Sequence, residues 1–360
     1  MKVGIVGLPN AGKSSLFNAL TGAAVPAENY PFTTVEPNVA IVPVRDERLE
    51  QIAATLDAEP LIFETIEFHD IAGLVRGAHS GEGLGNRFLS NIRETDAILH
   101  LVRAHDDPQV VHPDGAVDPA RDADTIETEL LYADLEQAER RLERVAREAK
   151  SGGRETVAEE AWLRAVVDAL QAGRPVRDVP PPDDAPAALR LLSPLTAKPV
   201  LYVANVAEEG QLEPPPALVE RAQRAGARAT AVSARLDAEL TELDPQEAEA
   251  MRADLGAAES GLERVVHETF ELLGLITFFT AGSGREARAR AIPRGTKARR
   301  AAGAVHTDME RGFVKAEIVP WEALVDAGGY AAARERALLR SEGRDYEIRD
   351  GDVVEFKFTP

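Results

Sequence analysis

The 360-residue sequence predicts an α/β fold, with a mostly parallel sheet covered by helices and a smaller module at the C-terminus. Short apolar runs alternate with amphipathic segments over most of the chain, which is typical of parallel sheets. One long, charged helical pattern interrupts this alternation, and the pattern changes again after residue 275. The length suits two or three domains, each with its own core.

Four apolar runs, and one segment at 62–68 in which apolar and polar residues alternate, provide the strands of the predicted sheet. They lie at residues 3–7, 62–68, 97–102, 199–204 and 229–232. The first run ends in Gly7, and a helical pattern begins at Ser15. This order of strand, glycine-rich loop and helix is the context in which phosphate-binding loops occur.

Residues 120–195 carry the pattern of an antiparallel helical hairpin, or coiled coil, inserted into the sheet domain. One face of its first helix is apolar at steps of four and three, through Leu131, Leu135, Ala138, Leu142, Val145 and Ala149. A turn at 151–153 precedes a second apolar stripe between Ala161 and Leu170, and a proline-rich linker follows at 175–186. We expect the stripes to pack against each other, with partner binding as the alternative.

The C-terminal region predicts a small α+β module. A strand is expected at 276–280, a helix at 322–340, and strand, turn and strand at 346–349, 350–352 and 353–358. The predicted organisation is a first domain at 1–275, interrupted by the 120–195 insertion, and a second domain at 276–360.

Composition excludes several classes of protein. The absence of cysteine excludes disulfides, thiolate metal sites and cysteine nucleophiles. No apolar run approaches the ~20 residues of a membrane span, and Met1-Lys2 leads directly into a strand pattern, so we expect a cytoplasmic protein with no membrane partner. The formal charge of −20 argues against nucleic acid wrapped over the whole surface, although a local basic patch is compatible with it.

The segment Gly7-Leu8-Pro9-Asn10-Ala11-Gly12-Lys13-Ser14 is a complete phosphate-binding loop. Its backbone N–H groups and the following helix N-terminus suit the β-phosphate of a nucleotide. We expect Lys13 to bridge the β- and γ-phosphates as a catalytic cation, and Ser14 to bind Mg²⁺. The predicted nucleotide contacts in this loop come from Asn10, Ala11, Gly12, Lys13, Ser14 and Ser15.

Two further segments follow the phosphate loop in the order along the chain that is typical of nucleotide-dependent switch regions. Thr33 and Thr34 follow the loop by some twenty residues, where Thr34 can complete the Mg²⁺ shell. Asp70 and Gly73 form an Asp-x-x-Gly element after a strand, where Asp70 holds the Mg²⁺ water shell and Gly73 N–H senses the γ-phosphate. Leu74, the fifth switch residue, follows directly.

These segments resemble the Obg-related translation-factor GTPases. The resemblance is carried by residues 7–14, 29–38 and 70–78, and residues 81–89 with Asn205-Val206-Ala207-Glu208 narrow it to the Obg-like ATPase, or YchF, family. Residues 306–313 and 342–346 resemble the TGS domain of that family, a β-grasp fold. The resemblance spans essentially the whole chain and implies ATP hydrolysis and association with the ribosome, on its large subunit. Arg288-Ala289-Arg290-Ala291 lacks a tryptophan expected there, which puts at most a local TGS contact in doubt.

Residues 205–208 predict which base is bound. Guanine offers two hydrogen-bond donors, which suit an aspartate three residues after the asparagine. In this sequence the carboxylate at that position belongs to Glu208, and Val206 stands where a lysine would stack on the base. Adenine can instead donate to Asn205 or to the carbonyl of Val206, with Ser233 and Ala234 closing over the base. We expect ATP, and the alternative is that Glu208 still reads guanine through a small shift.

Leu74 stands where many such enzymes carry a glutamine that orients the attacking water, and it cannot hydrogen-bond. His112, on a proline-flanked loop after the strand at 97–102, is the candidate that replaces it; its position also matches a histidine used in the resembled family. Asn10 resembles asparagines that coordinate K⁺ in potassium-dependent relatives, and the alternative is a loop-capping amide.

The leading interpretation is a slow ATPase switch that acts on the translation machinery. The alternatives are a GTPase of the Obg type, or a nucleotide-gated ribosome or RNA adaptor in which hydrolysis is incidental. A metabolic phosphotransferase is disfavoured because no second small-molecule motif is visible. One basic stretch is a candidate contact for RNA phosphates, with a solvated charged face as the alternative: Arg285, Arg288, Arg290, Arg294, Lys297, Arg299 and Arg300.

Overall fold

The computed structural model describes residues 1–24, 38–71, 84–150, 152–208, 212–254, 260–282 and 284–359. The chain folds as two units. Unit 1 comprises Met1–Val42 and Glu67–Val265, and unit 2 comprises Pro43–Ile66 and Val266–Pro360.

The elements are numbered here in chain order. The strands are β1 Lys2–Val6, β2 Val39–Val44, β3 Leu61–Ile62, β4 Glu64–Asp70, β5 Ala97–Arg103, β6 Val200–Asn205, β7 Arg228–Val232, β8 Leu275–Ala281, β9 Ala287–Pro293, β10 Phe313–Pro320, β11 Arg340–Glu342 and β12 Asp352–Phe358. The helices are α1 Lys13–Gly22, α2 Glu47–Leu56, α3 Leu84–Arg93, α4 Pro119–Glu148, α5 Arg154–Gln171, α6 Ala188–Leu192, α7 Pro216–Arg224, α8 Ala234–Leu240, α9 Pro245–Asp254, α10 Gly261–Leu272, α11 Ala298–Val305, α12 Thr307–Arg311, α13 Trp321–Ala327 and α14 Tyr330–Glu335.

The sheet associated with unit 1 has the strand order β2-β4-β1-β5-β6-β7. The pairs β1–β4, β1–β5, β5–β6 and β6–β7 are all parallel, as the alternating sequence pattern predicted. The strands β1, β5 and β6 have largely apolar sequences because both faces of a parallel sheet are covered. The strand β4 instead alternates, and only Ile66 and Phe68 of it are buried. The strands β5 and β6 are buried at every position, so they form the centre of this unit.

Helix α4 packs its N-terminal half against this sheet. Ile126 and Leu130 join a buried cluster with Ile98 of β5 and Tyr202 of β6. Further along, the predicted apolar stripe of α4 packs against Trp162, Val166 and neighbouring residues of α5. The two helices therefore cover each other's apolar faces, as the sequence pattern predicted for this stretch.

Unit 2 is built on a mixed sheet with the strand order β11-β10-β12-β8-β9-β3. The strand β12 pairs antiparallel with β10 and parallel with β8, and β8 pairs antiparallel with β9. Residues 43–66 belong to this unit because α2 buries Leu49, Ile52 and Leu56 in a cluster with residues of β8, β9, β10 and β12. The unit boundaries therefore differ from the division predicted at residue 275, which assigned 43–66 to the first domain.

Two predictions within the C-terminal module are wrong. The helix expected at 322–340 is two helices and a strand, because Gly328 and Gly329, with φ of 81° and 122°, end α13 before α14 begins. The strand expected at 346–349 is a single bridge between Lys297 and Glu347. The backbone N–H of Arg349 is taken by the Asp352 carboxylate, and β12 takes its antiparallel partner from β10.

Among the helices that the structure describes, none combines the length and the apolar character needed to cross a bilayer.

Candidate functional site

The predicted site residues of unit 1 meet at one edge of its sheet, where the parallel strands end. Gly7 follows β1, Asp70 ends β4, Asn205 ends β6 and Ser233 follows β7. The strand register pairs Ile5 with Asp70 and Asn205 with Val232, so neighbouring strands end at the same height along the sheet. Open parallel sheets bind ligands at this edge, because the loops that leave adjacent strands diverge there.

The phosphate loop depends on two glycines that no other residue could replace. A Cβ at Gly7 would lie 2.4 Å from the Leu101 carbonyl oxygen, so the loop can cross β5 only without a side chain. Gly12 has φ of 96° and caps α1, and a Cβ there would lie 2.2 Å from Asn205 Nδ2. Asn10 also has a positive φ, of 65°, which asparagine tolerates better than most residues.

Lys13 is buried at the start of α1, with 8% of its surface exposed. Its ammonium donates to the carbonyl oxygens of Gly7, at 3.0 Å, and Leu8, at 2.9 Å. Burial lowers the pKa of Lys13, and the nearby Asp70 carboxylate opposes that shift. The lysine therefore stabilises the loop and places its cation against two backbone carbonyl groups of the loop.

Asp70 and Ser14 provide hard oxygen donors of the kind that suits Mg²⁺. Asp70 Oδ1 is buried and has no hydrogen-bond partner among the residues that the structure describes. Burial raises the pKa of Asp70, and Lys13 opposes that shift. Ser14 is exposed in the first turn of α1. An unpaired buried carboxylate oxygen is the feature that a cation or its water shell would satisfy, so the residues present fit this metal.

Asn205 connects the phosphate loop to the loop after β7. Its Nδ2 donates to the Ala11 carbonyl oxygen at 3.0 Å, and its Oδ1 accepts from the Ala234 N–H at 3.1 Å. Its backbone carbonyl contacts His105 Nδ1 at 2.9 Å. Asn205 is only 7% exposed, and both ends of its amide are bound to protein groups, so it positions the two loops.

The other predicted base-binding residues lie around Asn205. The Val206 N–H donates to the Val232 carbonyl oxygen at 2.9 Å. Glu208 is exposed and forms an ion pair with Arg235 at 3.1 Å, in which the two side chains are 42% and 72% exposed. Ser233 is buried, and its hydroxyl has no hydrogen-bond partner within the described ranges. The carboxylate that would read guanine is therefore engaged by a cation in this structure.

His112 lies against the phosphate loop. The Asn10 amide donates to the carbonyl oxygen of Val111, the residue before His112, at 3.0 Å. The His112 side chain is 7% exposed, and its Nε2 contacts Asp122 Oδ2 at 2.8 Å. Asn10 thus holds the histidine segment, while its predicted role toward K⁺ stays a prediction.

Two residues that the sequence analysis did not single out organise this segment. Arg103, which ends β5 and is 4% exposed, donates to the carbonyl oxygens of His105, Asp107 and Val110 at 3.0, 3.1 and 2.9 Å. Asp122, in the first turn of α4, binds His112. The signal for Arg103 was an arginine at the end of an otherwise apolar strand; Asp122 carried no comparable signal.

The remaining predicted site residues divide into two groups. Ala11 is buried within the phosphate loop, and Ser15 is partly buried on α1. Thr33, Thr34, Gly73 and Leu74, the predicted switch residues other than Asp70, lie outside the described residues.

Comparison with known proteins identifies the family of this chain. Residues 2–137 match a family model described as a 50S ribosome-binding GTPase, and residues 275–359 match the model of the YchF GTPase C-terminal domain, described as a protein of unknown function. The chain is 43% identical over 363 residues to the ribosome-binding ATPase YchF of Bacillus subtilis (strain 168), with 99% of each chain covered. It is 45% identical over 359 residues to the protein of that name from Escherichia coli O157:H7, again with 99% of each covered.

Among solved structures, the YchF GTPase of Schizosaccharomyces pombe superposes with a TM-score of 0.87 at 34% identity, over 99% of this chain and 97% of that one. Full-length similarity at this level, together with a complete phosphate loop at the end of β1, shows that the chain belongs to the YchF family.

Proposed function

We propose that this protein binds ATP with Mg²⁺, hydrolyses it slowly to ADP and phosphate, and uses the cycle to act on the ribosome in the cytoplasm. The observation that carries the proposal is the buried Lys13 beside the phosphate loop, together with an Asp70 oxygen on the adjacent strand end that has no hydrogen-bond partner in the part of the chain that the structure describes. Curated relatives are named ribosome-binding ATPases, whereas the solved relative is titled a GTPase, so the choice of base needs its own argument.

The structure favours adenine at the base site. A carboxylate that reads guanine must be free to accept two N–H groups, and Glu208 is instead paired with Arg235. That ion pair is exposed and contributes at most ~1 kcal/mol. The mismatch with guanine therefore rests mainly on the longer glutamate side chain, which displaces the carboxylate from the two donors. Adenine needs no carboxylate, because its exocyclic amine needs only one acceptor, and we propose the Val206 carbonyl as that acceptor.

The test is calorimetry with ATP and GTP side by side, on wild type and on the double variant Val206→Lys with Glu208→Asp. We expect the wild type to prefer ATP and the double variant to shift toward GTP by tenfold or more, about 1.4 kcal/mol. Glu239→Asp is the matched control, since Glu239 also pairs with Arg235 but lies outside the 205–208 motif. Tighter wild-type binding of GTP would contradict the assignment of ATP and support the Obg-type alternative.

The turnover of the Lys13→Ala variant tests whether the measured hydrolysis comes from this site or from a contaminating hydrolase. Loss of its ammonium should abolish hydrolysis and weaken triphosphate binding sharply, because no other described lysine contacts the phosphate loop. Lys2→Ala, an exposed lysine at the opposite end of β1, is the control. If Lys13→Ala hydrolyses ATP at the wild-type rate, the assignment of the hydrolytic site to the phosphate loop is wrong.

The residues of this chain divide the chemistry as follows. Ser14, Asp70 and Thr34 would hold Mg²⁺, which supplies charge neutralisation on the phosphate oxygens when bound. Lys13 neutralises charge on the leaving group, and His112 orients or deprotonates the attacking water in place of the missing glutamine. K⁺ bound through Asn10 is a second proposed source of charge stabilisation. His112→Ala should lower turnover roughly tenfold or more and leave ATP affinity unchanged.

The partner proposal is a ribosome contact on the large subunit, in keeping with the family description matched by residues 2–137. We further propose that α4 and α5 form a coiled-coil arm and that the C-terminal sheet is a TGS domain of β-grasp type, supported by the parallel pairing of β8 and β12. RNA is a weaker candidate, because several residues of the basic stretch have protein partners: Arg290 donates to Ala304, Arg299 to Glu310, and Lys297 pairs with Glu347. Stimulation of ATP turnover by added ribosomes separates the ATPase switch from an adaptor with incidental hydrolysis.

A further inference from the structure

The carboxylate beside His112 is as deeply buried as the histidine itself. The two side chains are 7% and 3% exposed, and His112 Nε2 lies 2.8 Å from Asp122 Oδ2. Asp122 sits in the first turn of α4, where the positive end of the helix dipole favours a negative charge. Arg121 Nη2 lies 3.4 Å from the other carboxylate oxygen. The pair is therefore a buried charge-assisted hydrogen bond.

The second ring nitrogen identifies the tautomer. The Asp114 N–H donates to His112 Nδ1 at 3.2 Å, so Nδ1 acts as an acceptor. A neutral imidazole carries one proton, which must then lie on Nε2 and point to Asp122. The Asp114 contact is exposed and long, whereas the Asp122 contact is buried and short. Water can replace the first far more easily than the second.

The segment around His112 is fixed to the sheet edge and to the phosphate loop. Arg103 binds three of its carbonyl groups, and Asn10 binds the carbonyl immediately before the histidine. A surface loop with no function would not require a buried arginine and a buried aspartate to hold one conformation. The tethering therefore serves the orientation of the ring.

We propose that Asp122 is a positioning residue for His112: its carboxylate holds the proton on Nε2 and so keeps a lone pair on Nδ1 for the water that attacks ATP. The inference rests on the proposed hydrolysis. As the water oxygen bonds to the γ-phosphorus and the bond to the β-phosphate oxygen breaks, Nδ1 accepts a water proton. Asp122 faces the resulting imidazolium, and the proton then passes to the phosphate product or to solvent.

The experiment uses the full-length protein, the His112→Ala variant and four further variants. Asp122→Ala removes the acceptor, and Asp122→Asn keeps the shape without the charge, so we expect turnover to fall roughly tenfold or more in the first and by less in the second. ATP affinity, measured by calorimetry, should stay within twofold of wild type. Asp124→Ala is the matched control, because Asp124 lies two residues further on α4 and is 61% exposed. Its turnover should equal that of wild type.

The fourth variant combines His112→Ala with Asp122→Ala. If Asp122 acts through the histidine, this double variant turns over ATP at the same rate as His112→Ala alone. A further loss in the double variant, or wild-type turnover by Asp122→Ala, would overturn the proposal.

A second measurement does not depend on turnover. Nitrogen-15 NMR of histidine-labelled wild type should show His112 as the Nε2–H tautomer, and Asp122→Ala should lose that single state. A wild-type Nδ1–H tautomer would overturn the inference. Absence of ATP hydrolysis in the wild type would instead contradict the proposed function. The NMR measurement would still report the tautomer of His112, because it does not require hydrolysis.

Discussion

At the residue scale, Asn205 shows how one side chain can hold two loops of a site together. Its amide has a donor and an acceptor at opposite ends, and the structure uses each on a different loop. Glycine at position 12 is required because the amide occupies the space that a Cβ would fill. Asparagine at 205 and glycine at 12 are therefore a matched pair, although they lie almost 200 residues apart.

Asn205→Ala should weaken ATP and GTP binding alike and lower the free energy of unfolding by ~1–3 kcal/mol. The reason is that the Ala11 carbonyl and the Ala234 N–H both lose their side-chain partner in a buried setting. Urea denaturation and calorimetry measure the two effects. If the variant binds only one of the two nucleotides more weakly and its free energy of unfolding is unchanged, Asn205 reads the base directly.

At the element scale, one buried aspartate anchors the long helix α4 to the segment that precedes β6. Asp134 accepts hydrogen bonds from Leu195 N–H at 2.9 Å and from Thr196 N–H and hydroxyl, both at 2.8 Å. Arg93 lies 3.3 Å from the same carboxylate. Burial raises the pKa of Asp134, and these hydrogen bonds oppose that shift. The segment that leads into β6 is therefore anchored to α4.

Asp134→Ala should lower the free energy of unfolding by ~3–5 kcal/mol, because it leaves two buried N–H groups unpaired and Arg93 without its counter-charge. Asp168→Ala, an exposed aspartate on α5, should change it by less than ~0.5 kcal/mol. Urea denaturation of both variants gives the comparison. A loss of similar size in the two would mean that the anchor contributes little.

Local patterns predicted much of the fold and of the site, because the relevant signals lie within a few residues of each other. The phosphate loop, the five parallel strands and the apolar stripes of α4 and α5 all have this property. The prediction at 346–349 was wrong because β12 pairs with β10, some 40 residues earlier, which no local pattern reveals. The contacts of Arg103 and Asp122 were missed for a similar reason, since a side chain bound to loop carbonyls or to a histidine leaves no periodicity.

At the scale of the whole molecule, unit 2 is assembled from two separate stretches of sequence. Helix α2 contributes Leu49, Ile52 and Leu56, each at most 4% exposed, to the cluster that contains Phe279 and Val353. Each such side chain stabilises by ~1.5–3 kcal/mol on burial. Their sum is comparable with the 5–15 kcal/mol that separates a typical folded domain from its unfolded state.

A fragment of residues 275–360 should therefore fail to fold cooperatively, although it contains all the residues that match the C-terminal family model. The same fragment preceded by residues 43–66 on a long flexible linker should regain a sigmoidal urea transition, because α2 then covers the exposed cluster. A hydrophobic dye should bind to the fragment without residues 43–66 and much less to the fragment that contains them. Cooperative unfolding of the short fragment alone would show that α2 is dispensable for this core.

The split composition of this unit also has a consequence for the nascent chain. Helix α2 leaves the ribosome about 220–300 residues before the strands that bury its apolar face. At synthesis rates of ~5–20 residues per second, that delay is about 10–60 s. During this interval Leu49, Ile52 and Leu56 have no native partner from the C-terminal strands, so early association with other apolar surfaces competes with folding. Substituting these three positions should affect the yield of newly made protein more than the activity of the molecules that complete folding.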